Sequence, residues 1–302
     1  LIYIKPNIVQ TWLVHSDFIG GIAARLAGIK NISWNIRFSN LDIRKIKLST
    51  TIIIKILSIL SYFIPKFIIV NSKRGKKTYE YVGYDKKKLK FIPNGYDLQI
   101  LKPNKFEKKS FKEKIKIKKN IPLIGNVARY DLLKDHLNLL KALSIARSKK
   151  KNFYCILVGS NINKNKKLIN QIIKLKLNKH IKLIGSQMNI SKVMNGIDIH
   201  VLSSLSEGFP NVVAEAMACG TPCISTDVGD ARFIVGNTGW IVSPNNPAKL
   251  ANAIEKALSE LSTNNWKKRS REGRVRIKKY YDIMRMIHLY NKLWKKLLYN
   301  NS

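Results

Sequence analysis

The chain has 302 residues, of which 45% are hydrophobic, and its 56 Lys and Arg against 18 Asp and Glu give a formal net charge of +38. This length and apolar content exclude a disordered chain and favour two globular domains. The lysines are spread along the sequence without a nucleic-acid-binding motif, so the charge favours an anionic membrane surface or phosphate-bearing ligands over nucleic acid. Three Cys and five His are scattered without metal-ligand spacing, which indicates small buried thiols in a reducing compartment rather than a metal site or a disulfide framework.

The first hundred residues alternate short apolar runs with helical segments, a pattern typical of a parallel sheet covered by helices. Strands are predicted at residues 7–12, 31–37, 67–71 and 89–93. A helix rich in small residues is predicted over residues 20–27, after a turn that contains His15.

Residues 48–64 form an apolar run that is interrupted by Lys55 and preceded by the basic residues 44–47. The run is marginal in length for a membrane span. Three interpretations stay open: a buried domain helix, which the pattern favours, an interfacial membrane helix, and a transmembrane helix.

Residues 102–120 are rich in Lys and poor in apolar residues, which indicates a linker between two domains. A second alternation follows, with strands predicted at residues 123–129, 153–159, 181–185, 197–202, 223–226 and 239–242. A helix is predicted over residues 247–258, with Asn246 as its N-cap, and another in the amphipathic tail, residues 280–298. The pattern predicts a complete doubly wound domain in this half.

The most specific pattern of the chain is Ser-Glu-Gly-Phe-Pro-Asn, residues 206–211, followed by Glu-Ala-Met-Ala-Cys-Gly-Thr-Pro, residues 215–222. Pro210 suits a first helical turn and Gly220 a left-handed helix stop, so a short helix is predicted between them. The amides that open this helix favour an anion; they belong to Gly208, Phe209 and Asn211. Carboxylates in the loop and in the helix, Glu207 and Glu215, can hydrogen-bond sugar hydroxyls. These features predict a nucleotide-sugar site, against the plainer alternative of two solvated carboxylates.

Two cations, Arg129 and Lys134, follow the first strand of the second half. They leave its carboxyl end, the edge where doubly wound sheets bind ligands, and can neutralise a pyrophosphate there. The plainer alternative is that they are ordinary surface cations. The sequence contains no Asp-x-Asp, so a divalent metal held by that motif is not expected.

These donor-side motifs resemble those of the retaining glycosyltransferases of the group 1 family. Three segments of the first half resemble the acceptor domain of that family: residues 10–28, 33–37 and 92–95. The resemblance implies an α/β fold of two facing Rossmann-like domains, called GT-B, and transfer of a sugar with retention from a nucleotide-diphosphate sugar. It implies a lipid-linked or polysaccharide-precursor glycan as the acceptor, no metal or other cofactor, and a cytoplasmic location, peripheral on the inner face of the plasma membrane.

The resemblance also assigns roles to residues. Arg129 and Lys134 neutralise the pyrophosphate, Glu207 binds the transferred sugar, and Glu215 binds the ribose hydroxyls. The amides of four residues touch sugar hydroxyls or phosphate: Gly208, Phe209, Asn211 and Val212. The turn at Gly185 and Ser186 seats the base.

The domains expected on this basis are an acceptor-side domain over residues 1–101, a linker over 102–120, a donor-binding domain over 121–280, and a C-terminal helix over 281–302 that crosses back to the first. In the family, a glycine-rich acceptor loop and strands precede the segment at which this chain begins. We therefore expect the first domain to be incomplete and to lack roughly the first 60 to 90 residues.

One position departs from the family pattern: many relatives have a His after the strand at residues 33–37, where this chain has Phe38. His15 is the candidate catalytic replacement, and a helix-capping or packing role for it is an equal alternative. Two other interpretations of the whole chain stay open, an inactive remnant of a donor domain and a basic protein that binds polyanions or membranes.

Overall fold

The computed structural model describes residues 1–37, 48–118, 120–149 and 151–299. They divide into two compact units. The first unit contains Leu1–Gly95, Glu207–Phe209 and the chain from Ile283 onward, and the second contains Tyr96–Ser206 and Pro210–Asp282. Phe38 and the basic residues 44–47 lie outside the described residues.

The first unit contains a parallel sheet of four strands in the order β1-β2-β3-β4. The strands lie within the four predicted segments and comprise β1 (Val9–Gln10), β2 (Ile32–Ile36), β3 (Phe67–Val70) and β4 (Leu89–Phe91). The helices between them are α1 (Val14–Leu26), α2 (Leu48–Leu60) and α3 (Lys73–Val82). Glycines let α1 lie close to the sheet, because a Cβ added at Gly21 would be 2.6 Å from Nε1 of the buried Trp34.

Helix α2 is the apolar run for which three interpretations were open. Ile54 and Leu57 are buried in the core of the first unit, as expected of a domain helix. Ile52 and Ile59, on the other face of the helix, are half or more exposed. Among the described residues, no helix combines the length and the apolar character that crossing a membrane requires.

The second unit contains a parallel sheet of six strands in the order β10-β9-β8-β5-β6-β7. All six predicted strands are confirmed: β5 (Leu123–Val127), β6 (Tyr154–Val158), β7 (Ile181–Ile184), β8 (Ile199–Leu202), β9 (Cys223–Thr226) and β10 (Trp240–Val242). The helices after β5 are α5 (His136–Ser148), α6 (Lys166–Lys174), α7 (Ile190–Gly196), α8 (Asn211–Ala218), α9 (Ala231–Val235), α10 (Pro247–Glu260) and α11 (Asn264–Tyr281). As predicted, α10 begins after Asn246, whose side chain accepts from the Lys249 amide. All three cysteines are buried and unpaired.

The Lys-rich segment that the sequence indicates as a linker contains helix α4 (Lys105–Lys114). This helix packs on α7 through Phe111, and a Cβ at Gly196 would be only 2.1 Å from that ring. Lys112 is buried and its Nζ donates to Asp198 at 2.7 Å. A paired lysine can thus lie inside the unit, and the partner that allows it is distant in sequence.

The C-terminal tail forms helix α12 (Ile283–Tyr299), which is separated from α11 by an extended residue, Asp282. The apolar face of α12 packs through Tyr290 on Ile69 and Ile92 of the first unit. The chain therefore returns to the first unit after completing the second.

Candidate functional site

The six-stranded sheet changes direction between β5 and β8. From β5 the chain proceeds outward through β6 to β7, then crosses to β8 and continues outward the other way through β9 to β10. The loops that leave the carboxyl ends of β5 and β8 therefore diverge and open a crevice, the usual ligand position in such sheets. Arg129 and Lys134 follow β5, and the Ser-Glu-Gly-Phe-Pro-Asn segment follows β8.

Hydrogen bonds hold these two loops together. The Ser203 hydroxyl donates to the carbonyl oxygen of Lys134 at 2.9 Å, and the Leu205 amide donates to that of Leu133 at 2.8 Å. Beneath them, the Asn126 side-chain amide on β5 donates to the Val201 carbonyl on β8. The segment that carries Lys134 is thereby fixed against the segment that leads to Glu207.

Arg129 and Lys134 lie at the two ends of one short turn. The Arg129 side chain is 66% exposed and its Nη2 lies 3.1 Å from an oxygen of Asp131. A hydrogen bond from the Leu133 amide, with Arg129 nearby, holds the pKa of Asp131 below its usual range. Lys134 ends the 3-10 turn Leu132–Lys134, and the next residue, Asp135, has a left-handed backbone and caps α5.

Glu215 lies in the middle of α8, and it is partly buried. Its carboxylate makes no hydrogen bond or ion pair with a described residue, and desolvation raises its pKa to about 7. A partly desolvated carboxylate without a protein partner can accept hydrogen bonds from ligand hydroxyls.

The ends of α8 agree closely with the prediction. Asn211 and Val212 are its first residues, Pro210 is the N-cap, one position earlier than the predicted first turn, and Gly220 has the expected left-handed backbone. The Asn211 side chain accepts from the Tyr96 hydroxyl at 2.7 Å.

Three predicted residues are grouped with the first unit rather than the second: Glu207, Gly208 and Phe209. Phe209 is buried. The other predicted residues on this side of the site belong to the second unit: Arg129, Lys134, Asn211, Val212 and Glu215. The loop Glu207–Phe209 belongs to the first unit.

Two glycines at the carboxyl edge of the second sheet differ in what they do for the fold. A Cβ added at Gly159, after β6, would lie 2.1 Å from the Ala128 carbonyl oxygen, so this glycine permits two backbones to cross. A Cβ at Gly185, after β7 and beside Ser186, would lie 3.6 Å from Asn163, an ordinary contact. Neighbouring residues therefore do not require a glycine at position 185.

Sequence reasoning missed His136, the first residue of α5. It is buried, stacks on Tyr130 with ring centroids 5.6 Å apart, and neither ring nitrogen has a partner among the described residues. Burial, assisted by Lys134, lowers its pKa to about 4, so the ring is neutral at pH 7. In the sequence, only its position directly after Lys134 and Asp135 could have indicated that it lies beside the predicted site.

The carboxyl edge of the first sheet carries the remaining predicted residue. His15 lies exposed in the first turn of α1, without a hydrogen bond to a described residue, after Leu13, whose φ is +75°. Two residues further on, Asp17 is buried, accepts from the Thr11 hydroxyl at 2.5 Å and from the Asn35 amide, and has its pKa raised by burial to about 7.

Within the described ranges, no three or more His, Cys, Asp or Glu side chains are grouped so that they could hold a metal ion.

The family model described as "Glycosyl transferases group 1" matches residues 107–273, more than half of the chain. The chain belongs to this family. The matched residues run from α4 to α11 and include both site loops of the second unit.

Individual relatives and solved structures extend the similarity to the first unit. The chain is 27% identical, over 271 residues, to the Escherichia coli UDP-Gal:alpha-D-GlcNAc-diphosphoundecaprenol alpha-1,3-galactosyltransferase, covering 86% of this chain and 70% of that protein. It is 26% identical to a Campylobacter jejuni N-acetylgalactosaminyltransferase with a diphospho-undecaprenol-linked acceptor, covering 58% of this chain and 45% of the relative. The crystal structure of Anabaena HepE in complex with UDP and glucose superposes with a TM-score of 0.85 at 20% identity, covering 95% of this chain and 78% of that one. The fold is therefore that of the GT-B glycosyltransferases, built from two Rossmann-like α/β units.

Proposed function

We propose that this chain is a retaining, metal-independent hexosyltransferase. It moves a sugar from a nucleotide-diphosphate sugar to a lipid-linked precursor of a cell-surface polysaccharide. UDP is the proposed nucleotide, because the E. coli relative is named for a UDP-sugar and HepE was crystallised with UDP.

The observation that carries the proposal is the set of charges at the switch point of the second unit. Arg129 and Lys134 supply positive charge at the end of β5, and Glu215 supplies a partly buried carboxylate that has no hydrogen-bond or ion-pair partner among the described residues. A nucleotide-sugar has the complementary groups, since its pyrophosphate is anionic and its ribose carries two adjacent hydroxyl donors. Arg129 and Lys134 bind the pyrophosphate and Glu215 accepts from the ribose, while Gly185 and Ser186 leave room for the base.

The chemistry assigned to these residues is charge stabilisation. The bond between the sugar's C1 and the phosphate oxygen breaks, and the two cations and the amides at the start of α8 stabilise the charge that develops on the leaving pyrophosphate. The acceptor oxygen bonds C1 on the same face, and its proton passes to the leaving phosphate oxygen. Glu207 binds the transferred sugar, and His15 is the candidate to assist the proton.

Incubation of the protein with UDP-galactose or UDP-glucose and a short-chain diphosphate-linked GlcNAc acceptor tests the proposal. We expect a disaccharide product whose new linkage, by proton NMR, has the anomeric configuration of the donor. A product with the opposite configuration would contradict retention. If several nucleotide-sugars and acceptors give neither product nor nucleotide binding, the inactive-remnant and polyanion-binding interpretations become the better ones.

We also propose that the enzyme binds the anionic inner face of the plasma membrane through α2. Its solvent-exposed apolar residues include Ile52, Ile56 and Ile59, and Phe63 follows in the next turn at 68% exposure. Cations lie beside this stripe: Arg25 donates to the Phe63 carbonyl, and Lys88 donates to that of Tyr62 at 2.5 Å. Burial is the main cause that lowers the pKa of Lys88; Asp85, 4.0 Å from its Nζ, opposes this shift, while Lys66 and Arg25 add to it. An apolar stripe flanked by cations matches an anionic bilayer surface.

Sedimentation with vesicles of phosphatidylglycerol and phosphatidylcholine tests this surface. We expect I59D/F63D to lose most vesicle binding, while I173D, which changes an equally exposed residue on α6, keeps it. Equal binding by I59D/F63D and wild type would contradict the proposal.

A further inference from the structure

A groove runs along β10, which is an edge strand of the six-stranded sheet. The groove has a volume of about 460 Å³, and its walls are the free edge of β10 and the outward side of α10, with Arg232 of α9 among its lining residues. We call it the β10 groove. It lies within the second unit, and none of the residues assigned to the nucleotide-sugar lines it. The proposed donor site therefore leaves the β10 groove without a function.

The floor of the β10 groove is a strand edge with unused hydrogen-bonding groups. The Val242 carbonyl accepts from the Asp227 amide at 2.8 Å, so the backbone of Val242 faces β9. Successive residues of a strand direct their N–H and C=O groups to opposite sides, so those of Ile241 face away from β9. On that side the described sheet has no further strand, and Ile241 is partly exposed. An unpaired strand edge is a template for another extended chain.

Two lysines of α10 line this edge with their charges not neutralised. Lys249 and Lys256 are exposed, and neither makes an ion pair with a described residue. The acidic residue in the groove, Asp227, is already paired with Arg232 at 2.6 Å. Lys249 Nζ donates to the hydroxyl of Ser243, directly after β10, at 3.3 Å, so α10 starts at the carboxyl end of β10 and runs back along it.

The spacing of the two lysines indicates which kind of anion fits. Lys249 and Lys256 are seven residues apart on one helix, which corresponds to about 10 Å along its axis. A single phosphate group does not span this distance. An extended peptide places every second side chain on the same face, about 7 Å apart, so that acidic residues at alternate positions lie along both lysines.

The lysines also restrict which strand can pair with the edge. A neutral or basic strand at Ile241 would desolvate two cations without neutralising them, and lysines beside an edge strand commonly prevent such pairing. An acidic strand supplies the missing charge, so the groove combines main-chain pairing with selection for carboxylates.

We propose that the β10 groove binds an extended acidic segment of a partner protein. The segment adds a strand at Ile241 and places carboxylates at alternate positions against Lys249 and Lys256. It occupies the edge of the second unit and leaves the residues assigned to the nucleotide-sugar free. The inference does not depend on the proposed function, because it uses none of those residues.

Fluorescence anisotropy with labelled peptides tests the groove. The probe is fluorescein-Val-Glu-Val-Glu-Val-Glu-Val, and its control has Gln in place of each Glu. We expect wild type to bind the acidic probe about 10-fold tighter than the neutral control, as exposed ion pairs contribute modestly. Equal binding of the two peptides would contradict the selection for carboxylates.

Two N-methylated versions of the acidic probe test strand addition, one methylated on its Glu amides and the other on its Val amides. A strand that pairs on one side uses only one set of alternate amides. We therefore expect one methylated peptide to lose binding and the other to keep it. Equal affinities of the two methylated peptides would overturn strand addition.

Variants locate the binding on the protein. K249E/K256E is expected to weaken binding of the acidic probe at least ~10-fold, because attraction is replaced by repulsion. The matched control is K167E/K174E, which reverses two exposed lysines at the same spacing on α6 and should bind like wild type. An equal loss in both double variants would overturn the proposal, because it would show attraction to the overall charge alone.

Ile241→Pro tests the backbone of the edge directly. It removes the N–H that faces away from β9 while the ladder to β9 stays intact, and edge strands tolerate proline at such a position. We expect the folded variant, checked by circular dichroism, to bind the acidic probe more weakly, and wild-type affinity would contradict the pairing at Ile241. If this variant does not fold, the lysine variants and the methylated peptides decide.

A labelled decathymidylate distinguishes a peptide groove from a general polyanion surface. We expect K249E/K256E and K167E/K174E to bind it alike, since a protein of such positive charge offers many sites for phosphates. If K249E/K256E alone weakens binding of the oligonucleotide as much as that of the acidic probe, the groove recognises charge without strand pairing and the proposal fails.

Discussion

The two sheets differ in strand order, and this difference affects how readily a site can be located on each. The six-stranded sheet reverses direction between β5 and β8, so its topology alone marks one crevice, and the charged residues after β5 lie at it. The four described strands of the first unit follow one another in a single direction. That edge has no switch point among its described strands, so topology alone does not locate a site there.

The two sheet edges also differ in their carboxyl groups. Each edge has one carboxyl group whose pKa is raised to about 7 by burial. Asp17, at the first edge, accepts hydrogen bonds from Thr11 and Asn35 through Oδ1, while its buried Oδ2 has no partner among the described residues. Glu215, at the second edge, has no partner among the described residues. We interpret Asp17 as a structural residue and Glu215 as a ligand-binding residue. Substitution of Asp17 should therefore change stability, and substitution of Glu215 should change ligand binding.

The largest effect is expected at Gly159. Gly159→Ala places a Cβ against the Ala128 carbonyl and should destabilise the second unit by about 4 kcal/mol or more. Gly185→Ala meets no such obstacle and should leave the unfolding free energy nearly unchanged while it weakens nucleotide binding. Chemical denaturation and UDP titration of both variants measure the difference. Equal destabilisation would mean that Gly185 also serves the fold.

Removal of one cation at the switch point should come next in size. Lys134→Ala is expected to lower the turnover number by about 10²- to 10³-fold, because charge that develops on the leaving pyrophosphate loses its partner. Arg271→Ala, at an exposed position on α11, is the control and should leave turnover within about twofold of wild type. If the Lys134 variant is as active as this control, the proposed role of Lys134 in stabilising the leaving pyrophosphate is contradicted.

Asp17→Asn should act on stability and not on nucleotide binding. The folded protein holds the Asp17 proton up to about pH 7, whereas the unfolded chain releases it near 3.8, so folding stability falls as the pH rises between these values and stays low above them. The asparagine oxygen can accept from Thr11 and Asn35 while carrying no charge, and its NH2 group replaces a buried oxygen that has no partner among the described residues, which offsets part of the gain. We expect the variant to lose this part of the pH dependence and to gain up to about 4 kcal/mol at pH 8. Denaturation at pH 5 and pH 8 would test this expectation, and an unchanged pH profile would contradict it.

Most strands were predictable because they are apolar runs bounded on at least one side by glycine, proline or a charged residue, and helix α8 was predictable because Pro210 and Gly220 mark its ends. The packing of helix α4 could not be predicted in this way, because the buried Lys112 needs the ion pair with Asp198, which is 86 positions away. The hydrogen bond from Arg37 to the Tyr290 hydroxyl was beyond reach for the same reason, because the two residues are 253 positions apart. Local sequence patterns predict the helices, the strands and the types of residue in the loops. A hydrogen-bond network between residues that are distant in sequence can be recognised only in the three-dimensional structure.

Glu215 and the loops at the switch point are proposed to bind a nucleotide-diphosphate sugar. Calorimetric titration with UDP, GDP and ADP, and then with their sugars, measures this binding. We predict saturable binding of one nucleotide, UDP, at pH 8. Binding should weaken up to about tenfold per pH unit below pH 7 as Glu215 takes up a proton, since the ribose hydroxyls need a carboxylate acceptor. Glu215→Gln should bind more weakly at pH 8 and lose this pH dependence. Glu272→Gln, on α11 and with its side chain 45% exposed, should behave like wild type. If no nucleotide binds at millimolar concentration in low salt with Mg²⁺ present, or if Glu215→Gln binds like wild type at both pH values, the claim is contradicted.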